Sequence, residues 1–129
     1  MDYDECAELL SQLKPDGEKV LKVHCKDYNE ILLHVLAGEL INEPLLELLK
    51  FHKDDSERIQ KYCNAIEFMW KDGNEEVVNV VDITILEGLS DDDVVWQKYG
   101  SYISDEFKKY INEEVLVWNL MMSAVKPLV

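Results

Sequence analysis

The chain has 129 residues, of which 47% are hydrophobic, and this length and composition suit one globular domain and exclude a disordered segment. Its 27 acidic and 13 basic residues give a formal net charge of −14, and Arg58 is the only arginine. Such a surface repels nucleic acid phosphates and anionic membranes, so we expect neither as a partner. It attracts basic proteins, although acidity can also serve solubility alone.

The cysteines and the N-terminal stretch indicate the compartment. Cys6, Cys25 and Cys63 are odd in number and form no CxxC motif, which favours reduced, mostly buried thiols in a cytosolic protein. The stretch MDYDECAELL lacks the basic and apolar regions of a signal peptide. No uncharged apolar run approaches the roughly 20 residues of a membrane helix. We therefore predict a cytoplasmic protein.

The first quarter of the chain predicts one clear helix and one ambiguous element. A helix from about Tyr3 to Leu13 would bury Cys6, Leu9, Leu10 and Leu13, and Pro15 with Gly17 would end it. Residues 18–25 suit either a short helix or a strand.

Three further helices are predicted up to Gly73. Asp27 and Glu30 form a capping-box pattern for a helix that runs to about Asn42. A short helix follows from Pro44, with these residues expected to be buried: Leu45, Leu46, Leu48, Leu49 and Phe51. Asp54, or Ser56 alone, would cap the next helix. Its apolar residues have the clearest helical spacing in the chain: Ile59, Tyr62, Cys63, Ile66, Met69 and Trp70.

The stretch from Asp72 to Gln97 combines the most apolar run with eight acids and no Lys or Arg. Its valines and isoleucines favour a strand by propensity. Asn74 as an N-cap, with Glu75 and Glu76 in the first turn, favours a helix instead. On that helix, Glu75, Asn79 and Asp82 share one polar stripe. A helix apolar almost all round is the one that others pack around, so we predict a buried central helix.

Two more helices complete the chain. Ser90 would cap a short helix that ends at Gly100, and Ser104 would cap the last long one. The buried stripe of the last helix is predicted to be Phe107, Tyr110, Ile111, Val115, Trp118, Met121 and Met122. The sequence thus predicts one all-α domain spanning residues 1–129, with six or seven helices. Their short loops favour stacked antiparallel hairpins, in a bundle or a short solenoid-like array.

No motif for catalysis, a cofactor or a metal is found. The chain lacks a phosphate-binding loop, a nucleophile elbow and a zinc-protease motif. His24 and Cys25 would point to different sides of any regular element, and the stretch after Asp72 lacks the closing Glu of a calcium loop. We therefore predict no catalytic residues, no cofactor and no metal. The remaining enzyme hypothesis requires Glu30, Glu67 or Glu87 inside an apolar pocket.

Asp91, Asp92 and Asp93 permit two interpretations. Acids in a first helical turn complement the helix dipole, which explains one or two of them. Three acids beside Trp96 also resemble an interface, where charge steers a basic partner and an aromatic residue anchors it.

Three segments resemble a bacterial family of small helical proteins linked with immunity functions in toxin–immunity systems, including contact-dependent growth inhibition. They are LLHVLAGELIN (Leu32 to Asn42), IQKYCNAIEFMWKDGNEEVVNVVDITILEGL (Ile59 to Leu89) and KYGSYISDEFKKYINE (Lys98 to Glu113). The resemblance implies a cytoplasmic, non-enzymatic inhibitor that covers the cationic cleft of a basic protein toxin, which we expect to be a nuclease. The contact residues are then predicted to be Glu75, Glu76, Glu87, Asp91, Asp92, Asp93 and Trp96. A scaffold or adaptor that binds a peptide between helices is the alternative.

Overall fold

The computed structural model describes residues 1–129 and contains seven helices and no strand. They are α1 (Tyr3–Ser11), α2 (Gly17–Tyr28), α3 (33–51), α4 (Ser56–Asp72), α5 (75–90), α6 (Asp93–Gly100) and α7 (105–118). A 3₁₀ turn, Leu120–Met122, follows α7. The prediction of an all-α fold is confirmed. None of the helices combines the length and the apolarity that crossing a membrane requires.

Helix α5 lies at the centre, as predicted. It contacts α1, α3, α4 and α6, and its buried residues include Val77, Val81 and Ile85. The Asn74 side chain accepts a hydrogen bond from the Val77 N–H at 3.1 Å, so Asn74 is the N-cap. Because helices distant along the chain also meet (α1 with α5, α3 with α6), the arrangement is a bundle, not a solenoid of neighbours.

Three helices contain a π-helical turn, which no sequence pattern indicated. These turns are Gly38–Asn42 in α3, Val80–Ile85 in α5 and Ile111–Val115 in α7. A π turn holds one extra residue, so the side chains within it and after it are displaced, by up to about 100°, from their positions in an unbroken helix. This explains why Asp82, expected on a polar stripe, is buried, whereas the apolar Ile83 is 39% exposed.

The π turns of α3 and α5 contact each other, and a buried hydrogen bond joins them. The Asn42 Nδ2 donates to the carbonyl oxygen of Ile85 at 3.1 Å. Gly88 leaves room for this amide, because a Cβ at that position would overlap Asn42 Nδ2. Asn42 and Gly88 therefore set how closely α3 approaches α5.

The predicted helix start at Asp27 is wrong. Residues 18–25, left open between helix and strand, belong to α2, which continues through Asp27 until Asn29 adopts a left-handed conformation, with φ 56°. The first N–H groups of the next helix are satisfied by tertiary contacts instead of a capping box. His24 Nε2 accepts from the Leu32 N–H at 2.8 Å, and the Tyr3 hydroxyl accepts from the Leu33 N–H at 3.0 Å.

Other predicted boundaries also shift. Helix α3 continues past Pro44, which has no N–H to donate. Pro44 lies two residues after the π turn that ends at Asn42, where the α-helical hydrogen-bond pattern is already interrupted. Phe51, predicted to be buried, is 75% exposed. The N-cap of α4 is Asp55, not Asp54 or Ser56.

The three cysteines are free thiols. Cys6 and Cys63 are buried, and burial raises the pKa of each to about 12. Cys25 is half-buried.

The first prediction concerns the crossing of α3 and α5. The Gly88→Ala substitution should lower the free energy of unfolding by roughly 1–3 kcal/mol, because the added methyl displaces Asn42 from the Ile85 carbonyl. Urea denaturation followed by circular dichroism measures this change.

Gly38→Ala is the matched control. A Cβ at Gly38 meets no atom within 4 Å, and the position is helical. This variant should be more stable than the parent by about 0.4–1 kcal/mol. Equal effects of the two substitutions would contradict the role assigned to Gly88.

Candidate protein-interaction surface

The acids predicted to contact a partner lie at opposite ends of α5. Glu75 and Glu76 occupy its first turn, whereas Glu87 lies near its C-terminus and Asp91 follows it. At a rise of about 1.5 Å per residue, the two ends are about 24 Å apart. The seven predicted residues therefore do not form one compact patch.

The three consecutive aspartates are exposed but differ in their contacts. Asp92 Oδ1 accepts from the Val94 and Val95 N–H groups at 2.9 and 3.1 Å, so Asp92 caps α6. Ser90, the predicted cap, instead donates its hydroxyl to the Glu87 carbonyl at 2.8 Å. Asp93 lies 3.6 Å from the Lys126 ammonium. Asp91 forms no ion pair and is free to contact a partner.

Trp96 was predicted as the aromatic anchor, and its position does not allow this. Its side chain is 0% exposed, and its indole Nε1 donates to the Lys126 carbonyl at 2.9 Å. The C-terminal residues cover it, since Leu128 is also buried and Asn112 accepts from its N–H at 2.8 Å. Trp96 is a core residue that a partner cannot reach without displacing the C-terminal segment.

A different tryptophan is exposed. Trp118 and Met121, predicted to be buried, are 50% and 82% exposed, and Val117 and Leu120 beside them are 72% and 84% exposed. The π turn before Leu116 changes which side chains face the core, and α7 ends at Trp118. We call Val117, Trp118, Leu120 and Met121 the C-terminal apolar cluster.

This cluster lies beside the acidic end of α5. Asn119, buried within the same segment, donates its Nδ2 to Glu87 Oε1 at 2.9 Å. The Leu120–Met122 turn packs against the α5 segment Leu86–Ser90. An exposed group of apolar side chains next to carboxylates has the composition of a protein interface: aromatic and Met residues at its centre and polar groups at its rim.

Asp82 is a buried acid that sequence reasoning placed on the surface. It is 4% exposed, its Oδ2 accepts from the Tyr110 hydroxyl at 2.7 Å, and its Oδ1 has no hydrogen-bond partner. Burial raises the pKa of Asp82, and the nearby Glu114 raises it further, while the hydrogen bond from Tyr110 opposes the shift. No sequence signal could have found this site, because the π turn turns Asp82 inward.

The acids of the enzyme hypothesis lie outside the core. Glu30 is exposed, Glu67 accepts from the Ser104 N–H at 3.0 Å, and Glu87 accepts from Asn119. His34, four residues after Glu30 and on α3, hydrogen-bonds to Thr84. No group of three or more His, Cys, Asp or Glu side chains is arranged to hold a metal ion.

The second prediction is a pH dependence due to Asp82. Because the pKa of Asp82 is raised in the folded state, the folded protein favours the neutral carboxylic acid. Protonation of Asp82 therefore stabilises the fold, and this stabilisation is complete at acid pH. It is lost as the pH rises through the folded pKa. Asp82→Asn keeps an acceptor for Tyr110 and stays neutral, so it should be more stable than the parent at pH 7.

Urea denaturation at several pH values tests this dependence. The difference in free energy of unfolding between the parent and Asp82→Asn should disappear as the pH falls below the unfolded pKa of about 3.9. Tyr110→Phe, which removes the only hydrogen bond to the carboxylate, should destabilise the protein most at neutral pH. If this difference in free energy of unfolding does not change with pH, the raised pKa assigned to Asp82 is contradicted.

Comparison with known proteins gives a family but no function. No curated protein and no solved structure matches the chain. One family model matches residues 3–119, so the matched part includes Val117 and Trp118 and ends before Leu120. Its description states no activity, and the resemblance to immunity proteins stays a prediction. Because the match extends over most of the chain, the protein belongs to the family described as Domain of unknown function (DUF7674).

Proposed function

We propose that this protein is a cytoplasmic, non-enzymatic immunity protein that binds and neutralises a basic protein toxin, a nuclease. The observation that carries the proposal is the position of the C-terminal apolar cluster beside Glu87 and Asp91, on a chain with net charge −14. The resemblance of three sequence segments to immunity proteins supports it independently.

Charge and apolar contact have different roles in this proposal. The net negative field attracts a cationic nuclease and raises the association rate. At contact, Glu87, Asp91 and Asp93 occupy positions that substrate phosphates would take in the toxin's cleft. The C-terminal apolar cluster, with Trp118 as its largest side chain, slows dissociation by burying apolar surface.

Glu75 and Glu76, predicted from the sequence to contact the toxin, have a smaller role in this proposal. They lie about 24 Å from Asp91 along α5, and salt screens exposed charges beyond about 8–10 Å under physiological conditions. These two glutamates add to the overall field but do not contact a partner bound at the C-terminal apolar cluster.

The third prediction tests steering by charge. Asp91→Lys with Asp93→Lys should lower the association rate with the proposed basic toxin by about tenfold or more at low salt. The effect should shrink as salt is added. Asp92 is left intact, because losing the α6 cap would cost about 1 kcal/mol of stability.

Stopped-flow or surface plasmon resonance measures the rate. The matched control, Glu43→Lys with Glu57→Lys, makes the same charge change at two exposed positions on α3 and α4. A control that slows association as much as the test variant would show that only net charge matters.

The fourth prediction tests the anchor. Trp118→Ala should weaken binding by about 2 kcal/mol, or about 30-fold, mainly through faster dissociation. Because Trp118 is half exposed, the folded chain should tolerate the change, and thermal unfolding checks this.

Phe51→Ala serves as the control, since Phe51 is still more exposed and lies on another helix. Unchanged dissociation after Trp118→Ala would remove the C-terminal apolar cluster from the interface.

A peptide-binding adaptor is the second candidate, and one depression favours it. Between α1 and α4, Leu9 and the half-exposed Phe68 line a depression of about 360 Å³, with Glu5 and Glu8 at its edge. A peptide held there by apolar contact should be nearly insensitive to salt, unlike a charge-steered toxin.

A further inference from the structure

The exposed face of α7 extends beyond the C-terminal apolar cluster into a second depression. This depression has a volume of about 370 Å³ and lies between α4 and α7. We call it the α4–α7 pocket; its lining residues are Trp70, Glu106, Lys109, Tyr110, Glu113 and Glu114. On the same face, Val117 and Trp118 follow one turn later. A partner covering the apolar cluster therefore comes within reach of the pocket.

Aromatic rings form one wall of the α4–α7 pocket. The Trp70 and Tyr110 rings are 5.1 Å apart between centroids and tilted by 36°. Phe107, which is buried, stacks behind Trp70 at 4.7 Å and fixes its orientation. Both lining rings are partly exposed, so each offers part of a π surface to a bound group.

The same lining also carries three glutamates, all on α7. Glu113 and Glu114 are exposed and form no ion pair, while Glu106 lies 3.3 Å from the Lys71 ammonium. Lys109 is the one basic residue in the lining.

A buried acid lies behind this wall. The Tyr110 hydroxyl donates to Asp82, which is buried and has an unpartnered Oδ1. No cation pairs with Asp82. The lining itself combines two partly exposed aromatic rings with three carboxylates and one lysine, so negative charge is in excess beside the π surfaces.

We propose that the α4–α7 pocket binds a guanidinium group, inserted as an arginine side chain of the basic partner. The identity of the partner rests on the proposed function, whereas the chemistry of the pocket does not.

A guanidinium fits this lining better than an ammonium group. It is planar, so it stacks on the Trp70 or Tyr110 ring while its edge donates to carboxylates. Two neighbouring carboxylates, those of Glu113 and Glu114, can accept from its several N–H donors. A lysine ammonium offers a point charge without a stacking plane and is more strongly hydrated.

The test uses the protein alone and N-acetyl-arginine amide, whose only charge is the guanidinium. Titration followed by ¹H–¹⁵N NMR should shift the Trp70 indole signal and the amides of residues 106–114. The dissociation constant should lie in the millimolar range, as expected for one side chain. N-acetyl-lysine amide should bind at least about threefold more weakly.

The variant Glu113→Gln with Glu114→Gln should weaken arginine amide binding by about fivefold or more. Glu43→Gln with Glu57→Gln is the matched control, since it removes two exposed charges elsewhere, and its affinity should equal that of the parent. Both glutamates of the pocket are exposed, so the test variant should fold normally, and its unshifted core signals check this.

Free arginine separates the two possible sources of the guanidinium. Similar affinity for the free and the blocked amino acid supports recognition of a side chain in a protein. Clear preference for free arginine would overturn the partner assignment in favour of a small-molecule ligand.

Absence of shifts at Trp70, or equal binding of the lysine compound, would overturn the guanidinium proposal. Because these titrations contain no toxin, their failure is distinct from a failure of toxin binding.

Discussion

The contact between the π turns of α3 and α5 is the constraint on which this structure depends. Asn42 in α3 donates to the Ile85 carbonyl in α5, above the space left by Gly88. This buried hydrogen bond gives the Asn42 Nδ2 a partner in the core and joins the two irregular turns directly.

The irregular turns decide which side chains reach the surface. In α5 the extra residue turns Asp82 inward to the Tyr110 hydroxyl and Ile83 outward. In α7 a similar turn precedes the exposed Val117 and Trp118. The exposed apolar side chains that suggest a binding role thus follow from the geometry of the helices. The net negative charge attracts a basic partner but does not determine which surface it binds.

The sequence predicted the number and type of the helices well, because caps and apolar spacing are local signals. Asn74 and Ser104 cap the helices that they were expected to cap. The centrality of α5 followed from its composition. Local signals also misled where several acids compete: Asp27 looked like a cap, yet tertiary contacts from Tyr3 and His24 start α3.

The candidate site was predicted only in part. Glu87 and Asp91 lie on the proposed surface, but Trp96 is covered by the C-terminal segment, which has no periodic pattern to reveal where it packs. Trp118 was assigned to the core because its spacing from Phe107 fits an unbroken helix. One additional residue in a π turn changes that spacing, and it cannot be read from residue types alone.

Amide hydrogen exchange of this protein, with and without the basic toxin proposed as its partner, is the most direct test of the proposed surface. We expect slower exchange in the complex for residues 91–94 and 106–122, and no change at Glu75 and Glu76. Protection confined to α1 and α4 around Leu9 and Phe68, or to the first turn of α5, would contradict the proposed surface.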